Sequence, residues 1–197
     1  MSNKEKCFLN MSEQEINSEK NNFTSFVKRK KKTLIYICTI IVSLVIAFFT
    51  YKYFKQQEHI KTSEQFNSAK IKISKNLEQS KDILINIIEK KNKFYSPMSL
   101  NLLLEKEINL PNEKILELFD KVIAIRGLEK NTKNLYILKK GLFLSEFSDE
   151  NTILKTLNPL INSNSIWRAQ AIITLEKYYF ANNEFEKSKQ YNRMLKK

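Results

Sequence analysis

Glycine and proline are nearly missing from this chain of 197 residues, which holds two glycines and three prolines. A β-rich fold of that length needs many tight turns, and such turns draw on residues that tolerate positive φ or arrive with φ already fixed. Their scarcity excludes a sandwich or barrel and leaves helices joined by Asn- and Ser-bearing loops. Cysteine is as rare. Cys7 lies near the start and Cys38 inside a long apolar run, so the region beyond that run cannot be held by disulfides. His59 is the single histidine, set in a Lys/Gln/Glu stretch with no cysteine and no second histidine beyond it, so a zinc site has no ligand set.

The glycine, serine and histidine motifs of phosphate cradles, nucleophile elbows and metalloproteases are absent too. Acidic pairs such as Asp149-Glu150 stand where a helix N-terminus favours negative charge, which explains them without acid–base chemistry. No catalytic residue, cofactor or metal is therefore assigned. Arginine is the last scarcity. Four arginines stand against thirty lysines in a chain of net charge +13. Nucleic-acid binding favours clustered arginine with interleaved aromatics, and neither occurs, so no nucleic-acid partner is expected. Lysine excess together with abundant Ile and Asn is also what AT-rich coding produces.

What the chain does contain is one long uncharged run. Between Lys32 and Lys52 there are 19 residues without a charge, rich in Ile, Leu, Val and Phe on every face. At about 1.5 Å per residue they span roughly 28 Å, close to the hydrocarbon thickness of a bilayer. A cleavable signal peptide has a shorter apolar region ending in small residues. This run exits through Thr50-Tyr51-Lys52-Tyr53-Phe54, so it reads as an anchor with aromatic side chains at its ends. Five consecutive cations, Lys28, Arg29, Lys30, Lys31 and Lys32, flank its N-terminal side, against the looser Lys52, Lys55 and Lys61 on the other. The positive-inside rule then keeps the N-terminus in the cytoplasm and exports everything after Lys52. The expected organisation is a polar tail over 1–32, a transmembrane helix over 33–54, and a helical domain over 55–197.

Beyond Phe54 a polar helix continues without a breaker, and apolar residues then recur at helical spacing. Leu84, Ile87 and Ile88 mark one helix. Pro111 opens another bearing Leu116, Phe119 and Ile123, with Gly127 past its end; Ser148 and Asp149 are N-cap candidates for a third bearing Ile153, Leu154 and Leu157. Further helices are expected over 100–108, 135–147 and 166–182, and a last one opens near Glu184 with Phe185, Ser188, Tyr191 and Met194. Equivalent positions Leu84, Leu116, Leu154 and Ser188 are 32, 38 and 34 residues apart, near the roughly 34-residue unit of tetratricopeptide repeats. Tyr179 to Ser188 reads as the turn of such a unit, with Asn182 and Asn183 able to take the left-handed position that glycine usually fills. The expected fold is thus all-α: one N-terminal transmembrane helix, then a tetratricopeptide-like solenoid of helical hairpins.

At these residues a resemblance becomes specific. An acidic-then-basic tail (Glu13, Glu15 and Glu19, then the lysine cluster), an anchor and helical repeats are similar to the single-pass inner-membrane family with a tetratricopeptide-like periplasmic domain, the family of the ancillary Sec translocon subunit. Leu154-Lys155-Thr156-Leu157-Asn158-Pro159-Leu160, followed by Ser165-Ile166-Trp167-Arg168-Ala169, resembles that family's LL-x-P-L … S-P-W-R segment. The resemblance implies a bacterial inner-membrane protein with a periplasmic protein-binding scaffold, partnered by the Sec translocon, periplasmic chaperones or exported chains. Trp167-Arg168 is the one pair with the chemistry of a binding hot spot. The plainer reading packs Trp167 between repeats and points Arg168 to solvent. An alternative function is a structural tether or a self-assembling subunit of an envelope complex.

Overall fold

The computed structural model describes residues 31–195, and all the regular structure among them is helical. Eight helices follow in order: α1 (Lys31–Lys72), α2 (Leu77–Glu89), α3 (Tyr95–Glu105), α4 (Asn112–Ile123), α5 (Lys130–Leu144), α6 (Glu150–Ile161), α7 (Arg168–Ala181) and α8 (Phe185–Met194). The chain divides into two units, Met1–Gln57 and Glu58–Lys197, and α1 carries residues of both.

In the first unit α1 is long and apolar enough to cross a membrane, as a membrane anchor or a signal sequence would be, and none of its most apolar stretch is buried. Within that stretch Tyr36, Leu44 and Phe48 are each more than 60% exposed. Two hydroxyls in the run are satisfied within the helix itself. Thr39 Oγ1 donates to Tyr36 O and Thr50 Oγ1 to Ile46 O, both at 2.8 Å. Such back-bonding leaves no polar group of those side chains seeking water.

The second unit is a series of packed helical pairs around two cores. The first core holds Phe66 and Ala69 of α1 together with Leu84, Ile87, Leu100, Leu103, Leu118, Phe119 and Tyr136. The second holds Leu138, Leu144, Ile153, Leu157, Leu160, Ile172, Leu175 and Tyr179. From α2 to α8 each helix packs on the next, with further contacts between α2 and α4 and between α5 and α7. α5 belongs to both cores. Tyr136 and Phe143 face the first while Ile137, Leu138 and Leu144 face the second, so its apolar residues lie on two sides rather than one. Gly141 lets α6 approach it closely: a Cβ there would come within 2.3 Å of Leu157 Cδ2 and 2.7 Å of its Cγ.

Helix starts differ from the apolar pattern where a polar cap, invisible to that pattern, sets them. α3 begins at Tyr95 rather than near Leu100, because Asn92 Oδ1 accepts from the backbone N–H of Phe94 and Tyr95, each at 2.9 Å. α5 begins at Lys130 rather than Leu135, because the Glu129 carboxylate accepts from the N–H of Asn131 and Thr132. Those two bonds hold the Glu129 carboxyl below its ordinary pKa. Elsewhere the caps fall close to their sequence signals. Pro111 is the N-cap of α4, and Asp149, not Ser148, caps α6 through Thr152 N at 3.1 Å. Asn183 takes the left-handed conformation with φ 61°, as does Gly127 with φ 71°. Pro159 sits in the last turn of α6, which ends two residues later.

Candidate functional site

Of the five basic residues expected to set membrane orientation, Lys28, Arg29 and Lys30 lie outside the described residues. Lys31 is the first residue of α1, and Lys32 is exposed on its first turn. The Trp167–Arg168 pair stands at the start of α7, both side chains half-buried. Trp167 packs against the second core, and its Nε1 donates to Asn131 O of α5 at 2.9 Å. Arg168 does not point freely to solvent: its Nε donates to Ile161 O at 2.9 Å, capping the last turn of α6. The carbonyls at a helix C-terminus lack intrahelical donors and carry partial negative charge, which draws the guanidinium back. The two polar groups thus tie the α6–α7 loop in different directions. Asn134 Nδ2, donating to Ser165 Oγ at 3.1 Å, adds a third tie to the same loop.

Two open concavities lie elsewhere, both lined by α3. One, of about 680 Å³, runs between α3, α4 and α5. Leu100, Leu103, Ile108, Leu118 and Phe143 form its walls, Leu142 stands 46% exposed beside it, and Glu105, Glu107 and Glu146 lie at its edge. The other, of about 610 Å³, lies between the end of α1, the α2–α3 loop, α3 and α5. Phe66, Leu102 and Tyr136 form its floor, and Lys70, Lys93 and Lys139 its rim; Phe94 and Met98 are 57% and 37% exposed there.

Asn101, Glu105 and Lys139 line both concavities. The Lys139 ammonium donates to Asn101 Oδ1 and stands 5.6 Å from the centre of the Tyr136 ring. Its partial burial pushes its pKa down. Beneath it Tyr136 donates its hydroxyl to Pro97 O, and burial pushes that phenol up to about 12. The floor between the grooves is therefore a fixed, neutral platform carrying one under-compensated cation. No apolar period in the sequence marks Lys139 or Asn101, because they are 38 residues apart and meet only through helix packing.

Two charge networks lie outside these grooves. Lys121 bridges Glu89 of α2 and Glu117 of α4, and Glu117 also meets Lys114 at 2.8 Å. The hydrogen bonds from Lys114 and Lys121 bring the Glu117 carboxyl down to about 2. At the other end Glu150 of α6 accepts from Tyr179 at 2.6 Å and from Lys187 of α8 at 2.8 Å. His59, exposed on α1, has its ring 5.2 Å from that of Tyr95. Among the described residues no three or more metal-ligating side chains gather in one place.

No family model matches this chain, nor does any curated protein or solved structure.

Proposed function

We propose that this protein is a membrane-anchored protein-binding scaffold. α1 acts as an uncleaved single-pass anchor with the N-terminus in the cytoplasm, and the helical pairs form a tetratricopeptide-like array on the periplasmic side of a bacterial inner membrane. The resemblance of the sequence to the single-pass inner-membrane family makes the Sec translocon, periplasmic chaperones or newly exported chains the expected partners. One observation supports binding above all: two open grooves are lined by α3, each with apolar walls and a charged edge. Apolar walls supply the affinity of such sites, and a few placed polar groups supply orientation.

Photocrosslinkers placed at Met98 and Leu142 in the full-length chain, followed by purification from membranes, test this reading. Translocon or folding-factor components should be crosslinked from these positions and not from exposed Lys177. Crosslinks to neither class would remove the reading. Orientation has its own test. A membrane-impermeant thiol reagent should reach a cysteine placed after Lys55 in intact cells and miss Cys7, and neutralising Lys28–Lys32 should weaken that asymmetry.

A structural tether or self-assembling subunit is favoured by a different observation. Phe180 and Phe185, at the α7–α8 turn, are 60% and 47% exposed with their rings 5.4 Å apart in an edge-to-face pair. Exposed paired aromatics suit a contact between copies. Sedimentation of the detergent-solubilised chain would show an oligomer that Phe180→Ser with Phe185→Ser dissolves; a concentration-independent monomer would remove this second reading.

A further inference from the structure

Most exposed lysines of the helical domain stand alone, but the half-buried ones are answered by acids: Lys81, Lys114, Lys121, Lys140 and Lys187 each meet a carboxylate within 4 Å. The groove between the end of α1, α3 and α5 holds the exception, Lys139. Its three rim lysines, Lys70, Lys93 and Lys139, pair with no carboxylate among the described residues, and its one acid, Glu105, is engaged by Lys106 at 3.4 Å. Lys139 is the most constrained of the three. Half-buried, it has the neutral Asn101 amide as its one hydrogen-bond partner among the described residues. A desolvated ammonium without a counter-anion is unfavourable until an anion arrives.

Between these cations the groove is apolar. Phe94 and Met98 stand exposed above the buried Phe66 and Tyr136. Methionine and aromatic surfaces adapt to varied apolar side chains. A bare phosphate or headgroup would use the cations and leave this surface wet. A chain segment that interleaves carboxylates with aromatic or aliphatic side chains would use both. The other groove lined by α3 shares Glu105 and Lys139 but adds Glu107 and Glu146 and no further lysine, which disfavours such a segment.

We infer that the groove rimmed by Lys70, Lys93 and Lys139 is a docking site for an acidic, apolar-interleaved segment of a partner protein. The inference rests on the scaffold reading and adds the chemistry of what that scaffold holds. The volume of about 610 Å³ admits a few side chains, which is a short linear segment and not a folded domain.

The test uses the full-length chain in phosphatidylcholine nanodiscs and a fluorescein-labelled 12-residue peptide of alternating Glu and Phe or Leu, with its Gln isostere as comparison. Anisotropy should show the Glu peptide binding at least tenfold more tightly than the Gln peptide, and weakening as salt is raised. Lys139→Gln should weaken the Glu peptide roughly tenfold, Lys139→Arg should restore much of the loss, and Lys177→Gln, on exposed α7 surface, should change it less than twofold. Met98→Ser should weaken both peptides. Melting curves matching that of the unmodified chain establish that Lys139→Gln remains folded. Should it not, the triple comparison moves to Lys70→Gln with Lys93→Gln, two exposed positions. Equal affinity for the two peptides, or binding indifferent to the groove substitutions, overturns the assignment. So does loss of binding to phosphatidylglycerol vesicles by variants that keep the peptide, which would make the occupant a lipid. If Lys139→Gln still crosslinks translocon or folding factors from Leu142, the scaffold reading stands and only this groove assignment falls.

Discussion

Gly141 separates two rules that usually agree. In a helix interior alanine is favoured over glycine by up to about 1 kcal/mol, so propensity alone makes Gly141→Ala stabilising. Here the new Cβ would overlap the buried Leu157 side chain, and overpacking a core costs about 1–3 kcal/mol. Packing outweighs propensity. Gly141→Ala should lower the melting temperature by several degrees, and Gly141→Ala combined with Leu157→Ala should lose less than the two single losses added together. Trp167 is a second residue whose role is set by its surroundings. Fully buried tryptophans cost about 3–5 kcal/mol when cut to alanine. Trp167 is half-buried, and Trp167→Ala should cost about 2–3 kcal/mol on thermal or denaturant unfolding. Trp167→Phe should keep the packing and lose about 1 kcal/mol with the bond to Asn131 O. If instead the alanine variant melts normally and fails to capture partners, Trp167 and Arg168 become a binding pair.

Among elements, α8 shows how a weakly apolar helix is held. Its outer side is polar, Ser188 is its one buried residue, and Phe185 stands 47% exposed against Phe180. Tyr191 does pack, stacked on Tyr179 at 5.3 Å. Met194 packs on the same core, and Lys187 adds an ion pair to Glu150 of α6, supported by Glu184 at the start of α8 itself, with Lys187 also 5.1 Å from the Tyr179 ring centre. The Lys187 and Tyr179 hydrogen bonds hold the Glu150 carboxyl below its ordinary pKa, and those from Glu150 and Glu184 hold Lys187 above its own. The depressed carboxylate contributes stability above about pH 4.3 and loses it as pH falls through its folded value. The raised ammonium contributes below about pH 10.4 and loses it as pH rises through its folded value. Glu150→Gln should therefore melt below the unmodified protein at pH 7, with the gap narrowing by pH 3. A gap that does not narrow would mean that the tie is not ionic.

For the molecule as a whole, the proposed anchor role of α1 is testable through its apolar part. Each arginine at the centre of a membrane helix costs about 2.5–3.5 kcal/mol of insertion. Ile41→Arg with Leu44→Arg would take about 5–7 kcal/mol from a run of only 19 uncharged residues. The doubly substituted chain should leave the membrane pellet after alkaline carbonate extraction, while the unmodified chain stays in it. Retention of both would place the membrane attachment outside that run.

The scarcity of glycine and proline, the 3.6-residue spacing of Leu84, Ile87 and Ile88, the length of the apolar run and the turn residues Pro111, Asp149 and Asn183 were sufficient to read an all-helical chain with a membrane-length N-terminal helix. Each of those features acts within one element, through local sterics, caps or burial of one face. The grooves were not legible in this way. α5 shows no clean stripe because it serves two cores, and Lys139 meets Asn101, as Glu150 meets Lys187, from positions 38 and 37 apart in the chain. Periodicity reports that a face is buried but not against what. Which helices meet, and so which lysine is left without a carboxylate, is fixed only when packing brings distant side chains into one place.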